Sequence, residues 1–393
     1  MKVTTDEKKI QELLTRGVDE VIVRTDLEKK LKSGKKLRIK LGIDPTSPNL
    51  HIGRSIPLLK MRDFQELGHQ LVFIIGDATG MVGDTSDKDS ERPMLAKKEV
   101  EKNMRNYVAQ AGKVIDIKKC EVLYNSEWLN KLGFIELANM ANLFGLHEFE
   151  SREVIARRMR AGERVSLHEM LYPLLQGYDS VAVKADVELG GTDQRFNLLA
   201  GRTLQEFYKQ PAQDIVMGPL LEGTDGRKMS SSWGNTINLT VEPREMYGKI
   251  MTIPDNLIIK YFTLATRVPL ETVKQYDAAL RSGENPRDIK MKLGVELTRF
   301  YHSEKLALEA EKYFIDTFKN KTIPEDIIEL RPSAYDIVTI LVESKMCSSK
   351  AEARRAIEQG GVKVNDMKVK AFEMKLRSGD VVQKGKRFFV RVK

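Results

Sequence analysis

Cysteine is almost missing from this 393-residue chain: Cys120 and Cys347 are its two thiols, and they lie far apart. A disulfide framework and a cysteine-rich zinc site are excluded, and a reducing cytosol is the expected setting. No apolar run reaches the roughly 18 residues that would mark a membrane span. Residues 1–20 contain Asp6, Glu7, Glu12, Asp19 and Glu20. They have neither the apolar stretch of a secretory signal nor the acid-poor character of a transit peptide, so a cytoplasmic protein is expected. Internal repeats and low-complexity tracts are absent as well. Against these gaps stands an ordinary globular composition, 41% hydrophobic and 31% charged. The length suggests two or three domains at roughly 150 residues each.

The net charge is +9 at pH 7, and it is not evenly spread. Residues 331–393 hold 15 Lys/Arg against 7 Asp/Glu, whereas the preceding 330 residues hold 50 against 49. The basic excess therefore belongs to the C-terminal segment. A polyanionic partner is implied there, nucleic acid ahead of anionic membrane, with a solvated basic tail as the plain alternative.

Apolar strands alternate with helical stretches through the first block. Residues 37–43 and 71–75 read as strands. Between them lie a Pro-containing loop at 44–50 and a helical pattern from Ile52 to about Leu67, which Gly68 stops. Residues 121–123, 180–185 and 214–217 are further strand candidates. This order argues for an α/β fold: a Rossmann-like, doubly wound, mostly parallel sheet with ligands at the carboxyl ends of its strands. A mainly helical stretch at about 126–176 interrupts the alternation as an insertion. The expected domains are 1–241 with that insertion, an α-helical domain and linker at 242–330, and a small basic α+β domain at 331–393.

Three stretches carry groups suited to chemistry. In Gly42 to Gly53 a strand ends, a loop turns and a helix begins at His51. The first turn of a helix offers backbone N–H groups and a positive dipole end to a phosphate, and Thr46 and His51 add side-chain donors. Gly53, lacking a Cβ, lets a flat ring pack on the backbone. A structural histidine at a helix start would leave the same pattern. In Asp225 to Ser232 a glycine turn precedes Lys228 and three serines. Lys228 could neutralise a polyphosphate during phosphoryl or nucleotidyl transfer, or the octapeptide could be a polar surface loop. Finally, Tyr172, Gln176 and Asp179 stand at i, i+4 and i+7, so one helix face carries phenol, amide and carboxylate beside apolar Leu175. Such a face can grip a small amphipathic ligand. Gly190 and Gly191 permit close backbone approach, and Asp193 is placed to accept from ribose hydroxyls.

Together these stretches resemble the class I aminoacyl-tRNA synthetases. His51-Ile52-Gly53-Arg54 is similar to their HIGH motif, and Lys228 to Ser232 to KMSKS. Asp44-Pro-Thr46, the Tyr172/Gln176/Asp179 face and Gly190-Gly-Thr-Asp-Gln194 resemble the bacterial type of tyrosyl-tRNA synthetase. The C-terminal segment resembles the αL-type RNA-binding domain that bacterial tyrosyl enzymes carry and tryptophanyl enzymes lack. The resemblance implies formation of tyrosyl-adenylate from L-tyrosine and ATP with Mg2+, then transfer to tRNA(Tyr). It implies a catalytic nucleotide-binding domain at 1–241, anticodon-side helices at 242–330, and a homodimer through the helical insertion. It implies no membrane and no metal held by the protein itself.

By the same resemblance, Thr46 and His51 would hold ATP phosphates, Gly53 would lie under adenine, and Asp44 beside the nucleotide or the amino acid backbone. Asp84, Tyr172 and Gln176 would surround the substrate ammonium, and Asp179 would accept the phenol proton. Gly191 and Asp193 would hold ribose, and Gln194 the carboxylate end. Lys88 and Arg92 would close over pyrophosphate with Lys228. Lys350, Arg354, Arg355, Lys363, Lys384 and Lys386 would track RNA backbone. Three positions depart from the pattern: Arg54 ends the first motif, Ser231 replaces the second lysine of the other, and Lys40 replaces a tyrosine. Arg54 and Ser231 are still expected at the nucleotide, and Lys40 is expected to pair with Asp179 and lower its pKa. A tryptophanyl-type enzyme or a non-catalytic, synthetase-like RNA-binding protein are the alternatives.

Overall fold

The structure, a computed structural model, describes residues 2–86, 94–318, 327–365, 367–369, 371–385 and 388–393. The chain divides into two compact units, one of residues 1–241 and 252–293, the other of 242–251 and 294–393.

The first unit is built on strands β1 (Glu20–Ile22), β2 (Arg38–Ile43), β3 (Gln70–Ile75), β4 (Cys120–Tyr124), β5 (Val187–Gly191) and β6 (Asp214–Gly218). Their order is β1-β6-β5-β2-β3-β4, with β1 antiparallel to β6 and every other pair parallel. Leu71 to Ile75 of β3 are all buried, as a parallel strand covered on both faces requires. The chain enters the parallel block at β2, moves outward through β3 to β4, then returns to the other side of β2 with β5. Direction reverses between β2 and β5, and beyond their carboxyl ends lies the crevice where such sheets take ligands.

Three helices position the crevice walls: α1 (Ile52–Glu66), α2 (Leu167–Val183) and α3 (Arg195–Phe207). His51 caps α1, its side chain accepting from the Arg54 N–H, and Ser166 with Glu169 forms a capping box on α2. Helices α2 and α3 touch backbone to backbone, since a Cβ on Gly177 would lie 3.0 Å from the Gly201 nitrogen. The expected strand at 180–185 does not form: residues 180–183 finish α2, Lys184 turns the chain in a left-handed conformation (φ 51°), and the strand is β5 instead. Val181 packs with Met140 and Leu204, and Val183 with Val72 and Ile74. A helix end buried on both sides thus carries the apolar density of a strand, and packing overrides the β-branched preference.

Residues 252–293, expected with the C-terminal helices, belong to the first unit. The Arg16 guanidinium donates to the carbonyls of Phe262, Thr263 and Thr266, and Arg267 pairs with Asp63 at 2.7 Å.

The second unit contains a sheet of β7 (Ile328–Leu330), β8 (Val362–Val364), β9 (Met367–Lys368), β10 (Val381–Lys384) and β11 (Phe388–Val392), ordered β7-β11-β10-β8-β9. Helices α4 (Ile337–Glu343) and α5 (Lys350–Glu358) close its core around Ile340, Leu341, Val382 and Val392. Among the described residues, no helix is long and apolar enough to cross a membrane.

Candidate active site

A cavity of about 290 Å³ opens at the carboxyl ends of β2 and β5, within the first unit. Asp179 lies at one end on α2. Its Oδ1 accepts from the Trp128 indole N–H at 2.8 Å and its Oδ2 from the Asn125 amide at 3.3 Å. Burial pushes this carboxyl up from the usual 3.8 to about 7, against the opposing pull of the Lys40 charge and the two donors. Two helical turns away, the Tyr172 hydroxyl donates to Asp44 Oδ2 at 2.9 Å, and Thr79 donates to Asp44 Oδ1 at 2.7 Å. Burial first, then the Asp44 charge, holds the Tyr172 phenol well above its usual pKa, so it stays a neutral donor. Gln194 donates to Asp84 at 2.6 Å, and Asn197 fixes the Gln194 oxygen at 3.0 Å.

Lys40 is not where its charge was expected to act. Its ammonium pairs with Glu188 at 2.8 Å and donates to Ser180 Oγ and the Gln176 carbonyl, at 2.8 and 3.0 Å. Lys40 is 0% and Glu188 1% exposed. Lys40 does pull the Asp179 pKa down, but desolvation is the larger effect and the net shift is upward. What is corrected is the expected pairing with Asp179, because the ammonium is held by Glu188 instead.

The other end gathers groups suited to an anion. Thr46 Oγ1 accepts from Arg54 Nη2 at 2.9 Å. Burial, then the charges of Arg54 and Lys228, push His51 down to about 3, so its ring is neutral. His51 Nδ1 accepts from the Arg54 N–H, which leaves the single ring proton on Nε2 as a donor. Lys228 is paired with Asp193 at 2.9 Å, and Ser231 Oγ lies 3.3 Å from Ser47 Oγ. The Gly53 N–H donates to Met229 Sδ at 3.3 Å, and a Cβ on Gly191 would lie 2.5 Å from Asp193 Oδ1.

Several supporting residues were not anticipated. Asn125 and Trp128 follow β4, where the rule that ligands sit beyond strand ends could have drawn attention to them. Asn103, Tyr107 and Gln110 stand at i, i+4 and i+7 and pin the 44–50 loop. Asn103 donates to the Pro45 carbonyl at 3.0 Å, Tyr107 to that of Ser47 at 2.7 Å, and Gln110 to that of Pro48 at 3.0 Å. Their spacing was the available signal. Lys88, Arg92 and Lys386 lie outside the described residues. Lys350, Arg354 and Arg355 are exposed on α5, and Lys363 is half-buried on β8. Lys384 is engaged internally, with Glu352 at 2.7 Å and the Met346 carbonyl.

A switch-point crevice carrying a helix-capping histidine and a lysine loop is the arrangement of the class I aminoacyl-tRNA synthetases. The family described as tRNA synthetases class I (W and Y) matches residues 32–319, and the S4 domain matches 337–382. Curated relatives agree in kind. A tyrosine–tRNA ligase of Thermotoga maritima is 43% identical over 99% of this chain and 98% of its own length. One from Bordetella avium is 45% identical over 96% and 94%. Tyrosyl-tRNA synthetase from Archaeoglobus fulgidus, solved with L-tyrosine, shares the fold at a TM-score of 0.62. It is 22% identical, over 77% of this chain and 99% of that one. On these grounds the chain belongs to the tyrosine–tRNA ligases of bacterial type, ATP-dependent enzymes that charge tRNA with tyrosine.

Proposed function

We propose that the cavity takes L-tyrosine at its Asp179 end and ATP at its His51–Lys228 end. It forms tyrosyl-adenylate and pyrophosphate, then passes the tyrosyl group to the 3′-terminal ribose of tRNA(Tyr). The observation that carries this reading is a buried carboxylate, steadied by Trp128 and Asn125, in a cavity whose far end collects hydroxyl, imidazole, guanidinium and ammonium groups. A carboxylate so placed needs a hydroxyl partner, and a phenol supplies one.

In the first step a tyrosine carboxylate oxygen attacks the α-phosphorus, and the bond to the pyrophosphate oxygen breaks with its electron pair. No protein nucleophile is needed; catalysis is positioning and charge stabilisation. Asp84, Tyr172 and Gln176 take the substrate ammonium, and Gln194 its carboxylate end. Thr46 and the His51 Nε2 proton meet the phosphates, with Asp44, Arg54 and Ser231 beside them. Gly53 lies under adenine, and Gly191 and Asp193 hold the ribose. Lys228, with Lys88 and Arg92, meets the leaving pyrophosphate. Lys40 serves tyrosine through the charge on Asp179 rather than by contact. Mg2+ would arrive with ATP, held on its phosphate oxygens, and would offset their negative charge there.

Tyrosine-dependent exchange of labelled pyrophosphate into ATP tests the whole reading. Exchange with tryptophan alone, or with no amino acid, overturns it. The pH dependence follows from Asp179. Between about 4 and 7 the folded chain holds this proton more tightly than the unfolded chain, so stability falls as pH rises through that window. The ionised form accepts the phenol, so kcat/KM for tyrosine rises with pH up to about 7. Thermal melting and exchange measured from pH 5 to 7 should move in opposite directions.

The basic C-terminal domain, within 331–393, is assigned to tRNA, and the helices within 242–330 to the anticodon side. Replacing Lys350, Arg354 and Arg355 with glutamine should raise KM for tRNA about tenfold and flatten its salt dependence, with pyrophosphate exchange retained. Titrating charging rates against KCl reads both. Phe134 (82% exposed), Ile135, Leu146 and Leu167 (81%) present apolar surface on the helical insertion at 126–176, which supports its use as a homodimer face. The enzyme is assigned to the cytoplasm.

A further inference from the structure

Arg54 and Ser231 come from different elements, yet their side chains converge on one dipeptide. The Arg54 guanidinium donates to Thr46 Oγ1 at 2.9 Å, and Ser231 Oγ lies 3.3 Å from Ser47 Oγ. Both residues line the cavity with His51 and Lys228. Arg54 is held firmly on one side: Nη1 donates to the Asp44 carbonyl at 3.2 Å and to the Tyr107 hydroxyl at 3.1 Å. Tyr107 is itself fully buried and donates to the Ser47 carbonyl. A guanidinium has five N–H donors, and three are used in this way. Nε–H and one Nη2–H have no partner among the described residues. A rigidly mounted cation with donors to spare therefore stands in the first turn of α1, at the anion end of the cavity.

We propose that Arg54 is a catalytic residue of tyrosine activation, supplying a fixed positive charge to the departing pyrophosphate at a place the lysine loop reaches only with Ser231. The proposal rests on the reading of the cavity as the site of adenylate formation. As the tyrosine oxygen bonds to the α-phosphorus, the scissile oxygen leaves with the electron pair, and negative charge grows on the pyrophosphate. No proton moves. Arg54, from the scaffold, then shares that charge with Lys228 from the 223–235 loop and with the other cations assigned to the pyrophosphate. Arg54 needs no loop movement to be in place, so its contribution appears in kcat more than in binding.

The plain alternative is that Arg54 only staples the 44–50 loop. Three variants separate the two in tyrosine-dependent pyrophosphate exchange by the full-length enzyme. Arg54→Gln should lower kcat about 10²-fold while KM for tyrosine stays within about twofold. Tyr107→Phe removes the hydroxyl of the staple and keeps the charge, and should cost far less. Adding Ser231→Lys returns an ammonium to the same dipeptide. It should speed the Arg54→Gln enzyme by at least about tenfold more than it speeds the unaltered one. Loss confined to a few-fold in Arg54→Gln overturns the proposal, as does an equal loss in Tyr107→Phe or an equal gain from Ser231→Lys in both backgrounds. Absence of exchange in the unaltered enzyme would instead remove the reading beneath it.

Discussion

Asp179→Ala should leave an enzyme that no longer prefers tyrosine to phenylalanine by more than about tenfold. The Asp179 carboxylate is buried at one end of the cavity, with Trp128 and Asn125 occupying one acceptor position on each oxygen. The phenol takes what remains. Phenylalanine offers no proton, so it leaves a desolvated acceptor unmatched. A required hydroxyl of this kind discriminates by about 10⁴–10⁵, a range known from a tyrosyl enzyme rather than derived from this geometry. Alanine removes the acceptor and its unmet demand together, so the two amino acids become nearly equivalent and kcat/KM for tyrosine falls by most of that factor. Exchange rates with each amino acid, taken as kcat/KM, provide the measurement. An unchanged ratio would mean that the hydroxyl is read elsewhere.

The second large effect is on stability. Lys40→Met should destabilise the fold by about 3–5 kcal/mol, because Glu188 is left as an uncompensated charge in the interior. Glu188 also accepts from Ser180 at 3.0 Å and from Gln213, so it cannot turn away to solvent. Adding Glu188→Gln removes the stranded charge and keeps an oxygen for those donors, and should restore most of the loss. Urea unfolding of the two variants decides the matter: equal instability would show that the ammonium matters for packing rather than for charge. Activity should respond as well. Lys40 is the strongest influence holding the Asp179 pKa down, so Lys40→Met should leave more Asp179 protonated at neutral pH and weaken tyrosine activation.

Local signals were legible in the sequence, and long-range ones were not. Tyr172, Gln176 and Asp179 could be placed on one face because helical spacing is a property of the chain itself. The same holds for the loop and helix start that bring Thr46, His51 and Arg54 together. Trp128 and Asn125 reach Asp179 from a segment about fifty residues away in sequence, and nothing local couples them. Lys40 illustrates the limit most clearly. A lysine inside an apolar strand signals a buried partner, but choosing between Asp179 and Glu188 requires the β2–β5 pairing, which sets Lys40 opposite Glu188. The strand expected at 180–185 failed for a related reason: apolar density reports burial, and burial does not distinguish a helix packed on both sides from a strand.

The ion pair between Lys228 and Asp193 has a consequence for selectivity among phosphates. With ribose assigned to that aspartate, sugar and lysine compete for one carboxylate. Stray inorganic anions have no vicinal diol with which to dislodge the ammonium, so they meet a cation already engaged. A nucleotide brings both halves of the exchange at once and frees the charge that its own phosphates then use. On that assignment the resting ion pair favours the nucleotide over orthophosphate and pyrophosphate.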